Sequence, residues 1–96
     1  MRRAARVDNN AGEIVAALRK AGAYVRVITQ GDGLPDLLVG YRGCTLLIEI
    51  KDGAKPPSQQ QLTTAEQKFF DEWPGGTLLK ANSVDAAIAA LRSVVR

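Results

Sequence analysis

The sequence contains no histidine and a single cysteine, Cys44. The absence of histidine excludes Ser-His-Asp and Cys-His catalysis, together with every histidine-ligated metal site. One cysteine cannot form a disulfide framework or a multi-cysteine zinc site within the chain, and its place in an apolar run predicts a buried, inert thiol. Any metal that this protein binds must therefore be held by oxygen, which favours Mg²⁺, Mn²⁺ or Ca²⁺.

Long hydrophobic segments are also missing. No apolar run approaches the roughly 20 residues of a membrane span, and Met1-Arg2-Arg3 leads into polar Asp8-Asn9-Asn10 rather than into an apolar secretory stretch. We therefore expect a cytoplasmic protein that has no contact with a membrane.

The composition is that of one ordinary globular domain. The chain has 96 residues, of which 46% are hydrophobic and 24% are charged. We expect a single domain over residues 1–96, with residues 1–7 forming a basic arm that carries Arg2, Arg3 and Arg6. The net charge of +3 suits a polyanionic partner, but a charge of this size is also common among small soluble proteins.

The hydrophobic periodicity predicts an α/β domain in which helices flank a mixed sheet. Thr63 and Glu66 have the spacing of a capping box, which places the start of the second helix. The predicted elements are a helix at 9–21, strands at 23–29, 36–41 and 44–51, a loop at 52–60, a helix from 63 to about 73, a strand at 77–81, and a last helix that Asn82 or Ser83 caps.

The ends of the second and third strands carry the residues with the clearest chemistry. Alternation along the third strand puts Glu49 and Lys51 on one face and leaves Ile50 on the other. Asp36, at the start of the second strand, lies beside Glu49 if these two strands pair. The two carboxylates and the Ile50 carbonyl then provide part of an oxygen shell for Mg²⁺, and Lys51 can stabilise charge on a phosphate. This pattern points to phosphodiester hydrolysis.

Glu13 in the first helix is a third candidate acid. It follows the core positions of the helix by one step, so a helix packed over the sheet can present it to a metal. The spacing also permits another interpretation, since Asn10 and Glu13 are placed as a capping box.

These residues resemble a known family. Pro35-Asp36 followed by Glu49-Ile50-Lys51 is the PD-(D/E)XK nuclease pattern, and the predicted order contains that superfamily's αβββαβ core. Within it the chain is most similar to the small stand-alone VRR-NUC proteins of bacteria and phages, over residues 8–92. The similarity also rests on Asn9-Asn10-x-x-Glu13-Ile14, Gly33-Leu34-Pro35-Asp36-Leu37, Glu49-Ile50-Lys51-Asp52-Gly53 and Leu62-Thr63-x-x-Glu66-Gln67.

The resemblance implies a structure-selective DNA endonuclease that uses Mg²⁺, with Mn²⁺ also supporting activity, and no organic cofactor. It implies a homodimer similar to Holliday-junction resolvases, a bacterial or phage-encoded enzyme acting in the cytoplasm. Asp36, Glu49 and Glu13 become metal ligands, and Lys51 becomes catalytic. The family often has glutamine at the fifth position of its LT-x-x-Q motif, where this chain has Glu66 followed by Gln67. We include Gln67 as a catalytic candidate, and which of the two faces the site stays open.

Further candidates and alternatives complete the hypothesis. Arg2, Arg3, Arg6 and Lys55 are the expected DNA contacts, Lys55 because its loop leaves the third strand. Tyr24, Tyr41 and the aromatic residues of the second helix (Phe69, Phe70 and Trp73) are expected to pack in the core or against the sheet. The chain is alternatively a DNA-binding module without catalysis, a flap or duplex nuclease that needs a partner protein, or a protein-interaction domain that uses its last helix.

Overall fold

The computed structural model describes residues 10–95, and the order of their elements agrees with the sequence periodicity. The predicted order α-β-β-β-α-β-α is confirmed, and a short 3₁₀ turn at Pro57–Gln59 lies in the segment expected to be loop. The basic arm at residues 1–7 lies outside the described residues. The elements are α1 (Ala11–Lys20), β1 (Tyr24–Val27), β2 (Leu37–Tyr41), β3 (Cys44–Ile50), α2 (Thr64–Glu72), β4 (Thr77–Ala81) and α3 (Val84–Ser93).

The four strands form one mixed sheet in the order β1-β2-β3-β4. β1, β2 and β3 are antiparallel neighbours, and β4 runs parallel to β3. Arg42 and Gly43 join β2 to β3 with φ values of 49° and 82°. Two residues with positive φ are what a two-residue type I′ hairpin requires. The hairpin pairs Leu37 with Ile48, so the next step of the register places Asp36 opposite Glu49.

The core lies between one face of the sheet and the layer formed by α1 and α3. Ile14 and Leu18 of α1 and Leu91 of α3 are buried there. Val39 and Ile48 meet them from the sheet. The apolar face of α3 is thus part of the core. Within residues 10–95, no helix combines the length and the hydrophobicity that crossing a bilayer demands.

The helix α2 differs from α1 and α3 in that none of its residues is buried. Its N-terminus carries the predicted capping box, in which Thr63 Oγ1 accepts from the Glu66 amide and Glu66 Oε1 accepts from the Thr63 amide. Trp73, which follows the helix, stacks on Phe69 with ring centroids 5.4 Å apart and stays 38% exposed. The expectation that this tryptophan packs against the sheet is wrong, because its ring lies over the turn that follows, where Nε1 donates to the Gly76 carbonyl at 2.9 Å.

The two tyrosines differ in environment. Tyr41 packs against the core, in agreement with its prediction. Tyr24 is 65% exposed, so the expectation that it belongs to the core is wrong. The reason is its register: Tyr24 alternates with buried Val25 on edge strand β1 and therefore lies on the face that α1 and α3 do not cover. Cys44 is half-buried rather than buried, and its thiol donates to the Val94 carbonyl at 3.3 Å.

Candidate active site

Asp36 and Glu49 lie side by side at one end of the sheet, on the face opposite α1 and α3. Their adjacency follows from the β2–β3 register, in which the neighbouring pair is Leu37 and Ile48. Leu37 and Ile48 are fully buried in the core, so alternation turns the two carboxylates to the other side. They line a cleft of about 330 Å³ that Lys51, Lys55 and Glu66 also line.

Asp36 is fixed by two short hydrogen bonds. Its Oδ1 accepts from the Thr29 hydroxyl at 2.8 Å, and its Oδ2 accepts from the Ile50 amide at 2.8 Å. One partner comes from the loop after β1 and the other from β3, so the carboxylate is held from both sides. Thr29 is a site residue that no sequence pattern indicates, since a threonine after a β-branched strand is not distinctive.

Glu49 is a buried acid, with 4% of its surface exposed. Burial first, then the charge of Asp36, and then its hydrogen bond and charge interaction with Glu66 raise the pKa of Glu49 to about 9, although Lys51 opposes the change. The cleft holds more carboxylates than its nearby lysine can compensate. A group of this kind takes a proton or a cation, because an uncompensated buried charge costs too much free energy.

Lys51 connects Glu49 to α2. Its Nζ lies 3.7 Å from Glu49 Oε2 and donates to Glu66 Oε1 at 2.8 Å. Burial alone would raise the pKa of Glu66, but the hydrogen bonds from Lys51 and from the Thr63 amide lower it below its ordinary value. Glu66 therefore stays ionised and holds the ammonium group of Lys51 at the mouth of the cleft.

The structure brings Glu66 to the site and does not bring Gln67. The Gln67 side chain is exposed, and its amide nitrogen donates to Asp71 Oδ1 at 2.8 Å. Consecutive helical residues point about 100° apart, so only one of this pair can face the cleft. The Thr63 capping bond turns α2 so that Glu66 is the one. Glu66 both closes the capping box and contacts Lys51.

Glu13 lies elsewhere. It is exposed on α1 and lines a separate cleft with Asp52, Gly53 and Asn82. The capping box proposed for Asn10 and Glu13 does not form, because the Asn10 side chain makes no capping bond. Asn10 Nδ2 instead donates to the carbonyls of Lys51 and Asn82, both at 3.1 Å, and so ties α1 to the ends of β3 and β4.

The remaining candidates divide by location. Lys55 lines the cleft, as expected of the loop that leaves β3. Arg2, Arg3 and Arg6 lie outside the described residues. The Ile50 amide holds Asp36, while the role of its carbonyl as a ligand stays a prediction.

The donor set of the cleft can be compared with what a metal needs. Among residues 10–95, no three histidine, cysteine, aspartate or glutamate side chains form a metal-binding group. Asp36 and Glu49 supply only carboxylate oxygen, the donor that Mg²⁺ and Mn²⁺ prefer, and backbone oxygen and water commonly complete such a shell. The excess negative charge around Glu49 is a second feature that a divalent cation would relieve. These residues fit a two-carboxylate magnesium site.

No protein-family model matches the chain, and no curated protein or solved structure matches it. A functional assignment therefore rests on the residues of the site.

Proposed function

We propose that this protein is a metal-dependent endodeoxyribonuclease of the PD-(D/E)XK type that hydrolyses DNA phosphodiesters. The observation that carries the proposal is the meeting of Asp36 and Glu49 on adjacent strands, with Lys51 beside them in the same cleft. The order of helices and strands is consistent with the αβββαβ core of that superfamily.

Asp36 and Glu49 are the residues that would hold Mg²⁺ or Mn²⁺. When bound, the ion supplies Lewis-acid stabilisation of the charge that develops on the scissile phosphate. Asp36 is suited to this task because Thr29 and Ile50 already fix its orientation, so little conformational freedom is lost on binding. Glu49 is suited because its buried carboxyl lacks a full counter-charge.

Lys51 would act on the phosphate directly. Glu66 holds its Nζ at 2.8 Å, near the two acids, where an ammonium group can donate a hydrogen bond to a phosphate oxygen. Glu66 is a positioning residue in this proposal, because it acts through Lys51. Lys55, on the loop beyond β3, lines the same cleft and would contact the same DNA backbone.

We propose a preference for branched DNA and a homodimer on the basis of the resemblance to the VRR-NUC proteins. A two-fold symmetric pair of sites would cut two strands at a fixed separation, as a junction resolvase requires.

The test is cleavage of a labelled four-way DNA junction beside a linear duplex of the same sequence, in Mg²⁺, Mn²⁺ or EDTA. We expect metal-dependent cutting by the wild type, and a loss of at least about a hundredfold for Glu49→Gln and Lys51→Ala. Glu72→Gln makes the same chemical change as Glu49→Gln at an exposed position of α2 and should cut like the wild type.

Two outcomes would count against the proposal. Cutting by Glu49→Gln at the wild-type rate, with unchanged metal dependence, would remove Glu49 from the chemistry. Tight DNA binding without any cutting by the wild type would favour the non-catalytic binding module or an enzyme that needs a partner.

A further inference from the structure

The sheet face that carries Asp36 and Glu49 is buried at Leu47 of β3, but toward the β1 edge it is exposed. This exposed part consists of Tyr24, Arg26, Leu38, Gly40 and Thr45, and we call it the open face. The strand register places Tyr24 beside Gly40, Arg26 beside Leu38, and Gly40 beside Thr45. The helices α1 and α3 cover only the opposite side, where the alternating residues Val25 and Val39 are buried.

The open face presents an aromatic ring, a guanidinium group and a flat, largely uncharged surface. Tyr24 is 65% exposed and Leu38 is 38% exposed. Arg26 Nη1 donates to the Tyr24 hydroxyl at 3.2 Å, which restrains both side chains. A Cβ atom at Gly40 would meet nothing within 4 Å, so the space beside the Tyr24 ring is open to a planar group.

From this arrangement we infer that the open face binds a single strand of nucleic acid, with a base stacked on Tyr24 and a phosphate contacting Arg26. Stacking on exposed aromatic side chains and contacts from basic side chains to the backbone are the two interactions by which proteins hold unpaired strands. The inference deepens the proposed function, on which its link to cleavage rests.

The open face is continuous with the cleft. Asp36, Leu38 and Gly40 alternate along the same side of β2, and the four-residue step from Asp36 to Gly40 covers about 13 Å. That length corresponds to roughly four stacked nucleotides at 3.4 Å each. A strand whose phosphate lies at Asp36 and Glu49 can therefore reach Tyr24 without leaving the sheet. A nuclease built this way would favour DNA that is unpaired next to the cut.

The charge and polarity of the open face favour this occupant over a second copy of the chain. Its only charged residue is the cation Arg26, which can contact a backbone phosphate. In the adjoining cleft, Lys51 and Lys55 lie among the acids Asp36, Glu49 and Glu66. The only large apolar groups of the open face are Tyr24 and Leu38, which is little for the apolar core that a homodimer interface normally contains.

The test is the fluorescence anisotropy of a labelled oligothymidine in EDTA, where no cutting occurs. We expect Tyr24→Ala to weaken binding by about fivefold to a hundredfold, and Tyr24→Phe to bind like the wild type because it keeps the ring. Arg26→Ala should weaken binding more than Arg92→Ala, which removes the same charge from the exposed end of α3. Photo-crosslinking with 5-iododeoxyuridine should attach the strand at Tyr24.

Binding by Tyr24→Ala equal to that of the wild type would overturn the inference, as would equal effects of Arg26→Ala and Arg92→Ala. Sedimentation that shows Tyr24→Ala converting a dimer to a monomer would also overturn it, because the open face would then belong to a second copy. Junction cleavage by the wild type separates the two proposals. If the wild type cuts the junction and Tyr24→Ala binds the strand normally, the nuclease function stands and the role of the open face is refuted. If Tyr24→Ala weakens binding and the wild type does not cut, the open face stands and the nuclease function is refuted.

Discussion

The buried acid Glu49 makes the stability of the metal-free protein depend on pH in an unusual direction. The pKa of Glu49 is raised from 4.5 to about 9, first by burial and then by the charge of Asp36. Between these pH values the folded protein binds a proton that the unfolded chain releases. Because the folded state holds more protons, its free energy of unfolding falls as pH rises through this window.

The magnitude follows from the linkage relation. One proton bound more tightly by the folded state changes the free energy of unfolding by about 1.4 kcal/mol per pH unit. Between about pH 6 and pH 8 the loss is therefore roughly 3 kcal/mol, a large part of the ~5–15 kcal/mol that stabilises a typical domain. The pKa of Glu66 is lowered, so its contribution has the opposite sign and is lost only below the ordinary carboxyl range.

Glu49→Gln removes this titration and keeps the shape of the side chain. Urea unfolding in EDTA, followed by circular dichroism between about pH 6 and pH 8, measures the effect. The wild type and the exposed control Glu72→Gln should lose stability as pH rises, while Glu49→Gln should change much less. A wild-type profile that is flat, or a Glu49→Gln profile with the wild-type slope, would refute the account of Glu49 as a neutral buried acid.

Three further predictions concern the metal, the loop before β2 and the cap of α2. Mg²⁺ binding at neutral pH should release about one proton from Glu49, seen as a buffer-dependent heat in titration calorimetry; a proton count that stays the same in Glu49→Gln would contradict this. Gly33→Ala should destabilise the fold by more than about 2 kcal/mol, because its φ is +81° and a Cβ would overlap the Ala65 carbonyl. Gly43→Ala, with the same φ sign but open space around it, should cost only about 1 kcal/mol. If urea unfolding shows the same loss of unfolding free energy for both variants, the close contact between residue 33 and α2 is not the cause. Thr63→Ala should remove about 1 kcal/mol of unfolding free energy in urea unfolding, because the hydroxyl that caps α2 is lost, whereas Thr63→Ser should restore it.

Local patterns of apolar residues in the sequence were sufficient to predict most of the helices and strands. Apolar residues at helical spacing predicted α1 and α3, and alternation predicted which side of β3 is core. Arg42 and Gly43 between two apolar runs are typical of a tight hairpin, and such a hairpin can only be antiparallel. The meeting of Asp36 and Glu49 follows from that turn, since a short connection sets the register of its two strands.

The orientation of the helices at the site depended on tertiary packing. The Thr63–Glu66 capping box was readable from sequence, yet its contact with Lys51 joins residues on two elements that only the fold brings together. The position of Glu13, one step from the core positions of α1, is compatible with facing the site and with facing solvent. The packing of α1 against β1 and α3 places it in another cleft.

The sequence by itself determined the chemistry that is possible here: oxygen ligands only, two acids and a lysine at the ends of paired strands, and no histidine or disulfide. The tertiary structure decided which groups share the cleft, why Glu49 is neutral without a cation, and why Tyr24 is exposed. These properties depend on burial and on distances between separate elements, and local periodicity carries no information about either. Tyr24 illustrates the difference, because alternation assigned it to a face of the sheet and only the position of the helices left that face open.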